Sequence, residues 1–214
     1  MFYHWDGESW TPHVGAEIFH PDVGSYASEA VTISLDGEIW AAGGTLESSD
    51  FLFHKAGAFL ERWDGNNWVE IDEQDGQTPT SLIAVADANE VWVVQEDPQV
   101  RPYPELRHWD GNLWTEPQPT IGTINGLVFR ARGDAWAAGA FSEGLPLIAH
   151  WNGDLWGRID VEAPAGLTGG LQALTVTPSG AVVAFGTDPL AVPAGDDDAT
   201  PANPPKSYLW VNCG

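Results

Sequence analysis

The chain has 214 residues, with 31 Asp and Glu against 8 Lys and Arg, for a net charge of −23. That length fits one domain with a sizeable core, and the charge argues against nucleic acid or an anionic membrane surface as partner. The single cysteine, Cys213, excludes an internal disulfide framework and a cysteine-based zinc cluster, and no apolar run is long enough to span a bilayer.

Taken in chain order, the start (Met1–Trp5) shows neither the basic nor the apolar block of a signal peptide. This leaves unclassical export or prior processing. A motif then opens: His4-Trp5-Asp6-Gly7-Glu8-Ser9-Trp10. It returns at Arg62-Trp63-Asp64-Gly65-Asn66-Asn67-Trp68, at His108-Trp109-Asp110-Gly111-Asn112-Leu113-Trp114 and at His150-Trp151-Asn152-Gly153-Asp154-Leu155-Trp156. Leu209-Trp210 reads as a degraded fifth copy. A second motif alternates with it: Glu38-Ile39-Trp40-Ala41-Ala42-Gly43, then copies around Trp92 and Trp136, and a last copy with Val183 in place of Trp. All 12 tryptophans belong to these repeats. Spacings of this size are those of propeller blades.

Each unit reads as four strands. An alternating β-rich run comes first, as at residues 30–35, 81–86, 126–131 and 171–177. The Trp-Ala-Ala-Gly strand follows, then a strand entering His-Trp, then an Asp-Gly turn into the last strand. Asp-Gly and Asn-Gly between such runs are strong hairpin signals, because glycine reaches positive φ without a Cβ clash. The expected fold is therefore all-β, a single propeller over 1–214. Residues 29–72, 81–118 and 123–161 are complete blades, 170–214 is the last blade, and 1–12 supplies closing strands. Four blades sealed by the two chain ends is the simplest ring. Five blades, or a ring completed by a second chain, are the alternatives.

These units resemble the bacterial β-propeller repeats reading Trp-Ala-x-Gly and then His-Trp-Asp-Gly-x-x-Trp, often described as galactose-oxidase-like or kelch-like. The Asp-Gly-x-x-Trp hairpin is also similar to the Asp-box of sialidase-type propellers, without its preceding Ser-x spacing. The resemblance covers nearly the whole chain. It implies a fold and leaves function open among lectins, adhesion modules and hydrolases.

The short turns fall on one face of such a ring and the long connections on the other, where binding is usually placed. Off-repeat residues in those connections are the candidate ligand contacts: Phe51, Phe53, Tyr103, Tyr26 and His54. The repeated Trp5, Trp10, Trp40, Trp63, Trp68, Trp92, Trp109, Trp114, Trp136, Trp151 and Trp156 read as packing between blades. Asp6, Asp64, Asp110 and Asn152 read as turn residues, since Asn keeps the accepting oxygen and loses the charge. Arg62 stands where other copies have His, which argues against a metal at those histidines. Asp188, Asp196, Asp197 and Asp198 are weak calcium candidates in a Pro-rich tract, and no other cofactor is implied.

Catalysis finds little support. There is no arginine cluster at equivalent strand ends, no tyrosine–histidine copper set and no Gly-x-Ser-x-Gly elbow. The expected function is non-enzymatic recognition of a carbohydrate or a protein surface by one loop-rich face, in an extracellular or cell-surface setting. A structural subunit of a larger extracellular or virion assembly is the first alternative. A glycan-active hydrolase or lyase is the second.

Overall fold

The computed structural model describes residues 2–5, 7–13, 23–49, 52–75, 79–95, 104–115, 118–119, 122–161, 169–187 and 207–212. All regular structure among them is β. A hairpin, β1 (Phe2–Trp5) and β2 (Trp10–His13), comes first. The first full sheet is β3 (Val23–Ile33), β4 (Ile39–Ser49), β5 (Leu52–Trp63) and β6 (Trp68–Asp75). The second is β7 (Thr80–Asp87), β8 (Glu90–Gln95), β9 (Glu105–Trp109) and the short β10 (Gln118–Pro119). The third is β11 (Gly122–Ala131), β12 (Asp134–Phe141), β13 (Pro146–Trp151) and β14 (Trp156–Ile159). The last holds β15 (Leu171–Val176), β16 (Val182–Thr187) and β17 (Ser207–Asn212).

Each full sheet is an antiparallel meander in chain order, and the first strands of successive sheets lie side by side. Three residues from each first strand (Ala30–Thr32, Ser81–Ile83, Asn125–Leu127 and Gln172–Leu174) line one central cavity of about 390 Å³. Four sheets around a common axis make this an all-β propeller. No described helix is long and apolar enough to cross a membrane.

The repeated turns explain the local folding. The Asp64 carboxylate accepts the backbone N–H of Asn66 (2.8 Å) and Asn67 (2.7 Å). Asp110 does the same with Asn112 and Leu113, and the side-chain oxygen of Asn152 with Asp154 and Leu155, both at 3.0 Å. Oxygen geometry, not charge, is what this turn requires. The two Asp-Gly turns nevertheless differ in their surroundings. Gly65 and Gly111 both have positive φ, but a Cβ on Gly65 meets nothing, whereas one on Gly111 falls 2.2 Å from Oδ1 of Asn89. Gly65→Ala should cost about 1–2 kcal/mol from backbone strain alone. Gly111→Ala should cost clearly more, read as a lower denaturation midpoint, because the neighbouring turn must also move.

The interior sits between sheets. Trp40, Ala42 and Leu60 of the first sheet are buried against Ile83, Val85, Val91 and Val93 of the second, with Trp109 and Trp114 packed alongside. Trp92 of the second lies 4.9 Å from Trp151 and 5.3 Å from Trp156 of the third. Trp136 of the third lies 5.9 Å from Trp210 of the last. One tryptophan in each of the first three sheets thus meets an indole or two from the next sheet. Backbones also approach closely. A Cβ on Gly139 would stand 1.9 Å from the Thr123 carbonyl oxygen, beside the bulge at Ile124–Gly126.

Three local expectations change. The long connection expected to hold Phe53 and His54 is largely strand, because β4 and β5 pair out to Ser49↔Leu52. No proline or glycine interrupts Thr45–Ser49 or Leu52–Ala56, so nothing there breaks the ladder. Second, Leu209-Trp210 does not occupy the His-Trp place. Val183 pairs with Val211 as Trp136 pairs with His150, so Val211 and Asn212 hold those positions. The two-residue offset keeps Trp210 on the face that meets Trp136. Third, β1–β2 stands as its own two-stranded sheet and is not hydrogen-bonded into the three-stranded last one. Both β1 and β17 are third-strand copies, and β17 already holds the place beside β16.

Candidate functional site

Polar chemistry recurs two residues before each motif tryptophan. Glu38 immediately precedes the second strand of its sheet and Glu90 and Asp134 start theirs, and Arg62, His108 and His150 lie opposite the tryptophan on the third. In the first sheet the Arg62 guanidinium donates to Glu38 at 3.0 Å and sits over Trp40. In the third, Asp134 accepts Trp136 Nε1–H at 2.8 Å, His150 Nε2–H at 3.0 Å and Arg130 Nε–H at 2.7 Å. Burial pushes the Asp134 carboxyl up, but the hydrogen bonds from Arg130, His150 and Trp136 outweigh it and hold the group below the ordinary aspartate range.

The second sheet departs from this pattern. Glu90 turns to the neighbouring blade and accepts the Gly133 backbone N–H with both oxygens, at 2.9 and 3.0 Å. Arg132, which also pairs with Asp87, lies 3.7 Å from the same carboxylate. His108 is left stacked on Trp92 with its ring centroid 4.8 Å away, and its buried Nε2 has no hydrogen-bond partner. Burial accordingly lowers the His108 pKa. Burial raises that of Glu90, and Gly133 and Arg132 only partly oppose it.

The sign for Glu90 follows from linkage. A carboxyl with a raised folded pKa binds its proton more tightly when folded, so its contribution is greatest in acid and declines as pH rises through the folded value. Glu90→Gln keeps an acceptor for Gly133 and removes the buried charge. This variant should match or slightly exceed the parent at neutral pH and show a flatter stability profile from mildly acidic to neutral pH. A series of urea titrations across pH checks this.

These clusters are acid–base–indole joints that tie strands and neighbouring sheets together. Among the described residues no group of three His, Cys, Asp or Glu is placed to hold a metal. The acids of the Pro-rich tract, Asp188 and Asp196–Asp198, lie outside the described residues, as do Asp6, Phe51 and Tyr103. Tyr26 falls in β3 opposite Thr45, while Phe53 and His54 fall in β5 opposite Ser48 and Glu47. Their side chains are not among those described. The backbone nonetheless brings Tyr26, Phe53 and His54 to one sheet, on its continuation past the buried Gly43 and Gly44. The acid before each motif tryptophan was the readable signal for the joints, since Glu38, Glu90 and Asp134 occupy equivalent places.

No family model matches the chain, and no curated protein matches it. The solved structures similar to it include two of YCF48. The one described as YCF48 bound to D1 peptide is 20% identical over 81% of this chain and 55% of its own, with a TM-score of 0.44. YCF48 from Cyanidioschyzon merolae is 18% identical over 77% of this chain and 49% of its own, with a TM-score of 0.46. The chain spans about half the length of these YCF48 structures.

One end of the propeller stands out. Second and third strands run 6 and 5 residues in the second sheet and 8 and 6 in the third, but 11 and 12 in the first. Thr45–Ser49 and its partners therefore project by roughly 16 Å, at about 3.3 Å per residue. Meander topology puts this ribbon at the end where the second-to-third and fourth-to-first connections gather.

Proposed function

We propose that the chain is a non-catalytic interaction module that recognises a protein segment at the end carrying the β3–β4–β5 projection. The projection carries this reading: a paired ribbon beside the long connections offers a wall of backbone and side chains on a rigid scaffold. The lining of the central cavity supports recognition over chemistry, because none of its residues is ionisable. A net charge of −23 favours a basic partner by long-range attraction. YCF48 has been seen with a D1 peptide; for this chain the support comes from its own surface. Carbohydrate recognition is the second reading, favoured by the placement of Tyr26 and Phe53 in the projecting sheet.

The test is a parallel screen of one preparation on a peptide array of basic, neutral and acidic sequences and on a glycan array, with and without calcium. Binding to basic peptides should dominate and weaken as salt is added. Replacing residues 46–56 by Asn-Gly, which shortens the ribbon to a two-residue turn between the paired Thr45 and Gly57, should abolish binding and leave the thermal midpoint nearly unchanged. Glycan binding alone would replace this reading with the second. Blank arrays from folded protein would overturn both.

A further inference from the structure

Each sheet hands one face to the next, and the last sheet's face has no taker among the described residues. In the third sheet that face holds Trp136, Ala138 and Ile148, which are buried against Leu171, Val182, Ala184, Tyr208 and Trp210. The equivalent places in the last sheet are Val183, Phe185, Leu209 and Val211, in two directly opposed pairs. They form an apolar square on one side of β16–β17, with Phe185 38%, Leu209 67% and Val211 51% exposed.

The matching element exists elsewhere on the molecule. In the second and third sheets, a Trp pair across the Asp/Asn-Gly hairpin packs onto the preceding sheet: Trp109–Trp114 beside Trp40, and Trp151–Trp156 against Trp92. The hairpin β1–β2 carries the same pair in the same register, Trp5 opposite Trp10, with ring centroids 5.5 Å apart as for Trp109–Trp114. Yet Trp5 is 47% exposed and Trp10 63%. The three motif tryptophans that could receive them already hold Trp109 and Trp114, Trp151 and Trp156, or Trp210. Among the described residues, the Val183 place is the vacant member of the series.

We propose that the Trp5–Trp10 hairpin of one copy packs onto the Val183–Phe185–Leu209–Val211 face of a second copy, continuing the blade-to-blade interface head to tail between molecules. Two different complementary surfaces exposed on one chain make a heterologous contact, which propagates unless the rotation closes it. The burial of two indoles against four apolar side chains drives association, and self-repulsion at a charge of −23 opposes it. Added salt screens the repulsion and leaves the apolar contact.

The test is sedimentation velocity of the full chain over a wide concentration range at low and high salt. The mass should rise above the monomer with concentration, and more so at high salt. Trp10→Ser and Val211→Lys each change an exposed residue, so both variants should fold, with circular dichroism as the control. Each alone should stay monomeric. Mixed, they should form a one-to-one dimer, because the first keeps the receiving face and the second keeps the hairpin. A monomer at every concentration and salt would overturn the proposal. So would assemblies indifferent to both variants, or a mixture that fails to complement. A monomer whose emission already shows Trp10 buried, read from the difference between parent and Trp10→Ser, would place the hairpin on its own chain and overturn it equally.

Discussion

Trp92→Ala should be among the most destabilising single substitutions in this chain, costing about 4 kcal/mol, the usual range for deleting a buried aromatic being roughly 3–5. Trp92 is completely buried and is touched from both sides of a sheet interface: His108 on its own sheet, Trp151 and Trp156 on the next. Its removal leaves a void that rigid strands on either side cannot collapse to fill. About 4 kcal/mol is a large share of the roughly 5–15 kcal/mol that holds a typical domain together. Trp10→Ala is the internal control. It changes the same residue type but at an exposed site, and its urea midpoint measured on dilute monomer should move little. Equal losses from the two substitutions would mean that the sheet interfaces do not carry the stability.

The contrast between those tryptophans shows what the sequence can convey. Repetition of Trp, Ala-Ala-Gly and Asp-Gly reveals strand, turn and blade, because each motif performs one local task that any copy repeats. Asn152 standing for Asp is legible for the same reason: an Asx oxygen staples the turn in either form. Pairwise choices are not legible. Glu38, Glu90 and Asp134 look equivalent, yet Glu90 leaves His108 for the Gly133 N–H of the next sheet. Tertiary geometry decides that, and no local pattern records it. The last sheet offers an indirect clue, since Ala181, Val183 and Val211 replace acid, indole and base together. Loss of all three at once is what a cooperating group would show. The projection of the first sheet was hidden for a different reason. Thr45–Lys55 lacks the repeat signature, and its polar Glu47–Ser49 and His54–Lys55 read as connection until the ladder pairs them.

Asp134→Ala should cost about 3 kcal/mol at neutral pH, because it strips three donors of their shared acceptor. Trp136 Nε1, His150 Nε2 and Arg130 Nε all point at this carboxylate from within 3.0 Å, and the Asp134 side chain is only 20% exposed. The pH dependence has a definite sign. The folded pKa of Asp134 lies below its unfolded value, so the carboxylate's contribution is fully present above the unfolded value. It is lost as pH falls through the folded one. The stability gap between parent and Asp134→Ala should therefore narrow in acid, opposite in sense to the effect of Glu90, whose contribution grows there. Asp134→Asn separates charge from geometry. Its side-chain oxygen can still serve Trp136 and His150, but it leaves Arg130 without this ion pair, so its loss should fall between those of parent and alanine. Urea midpoints for the three proteins at neutral and acidic pH decide the matter. A gap constant with pH would mean that the joint acts by shape and not by charge. The equivalent substitution in the first sheet, Glu38→Ala, should cost less. Its bond to Arg62 is about a third exposed on both sides, where solvent screens much of its worth.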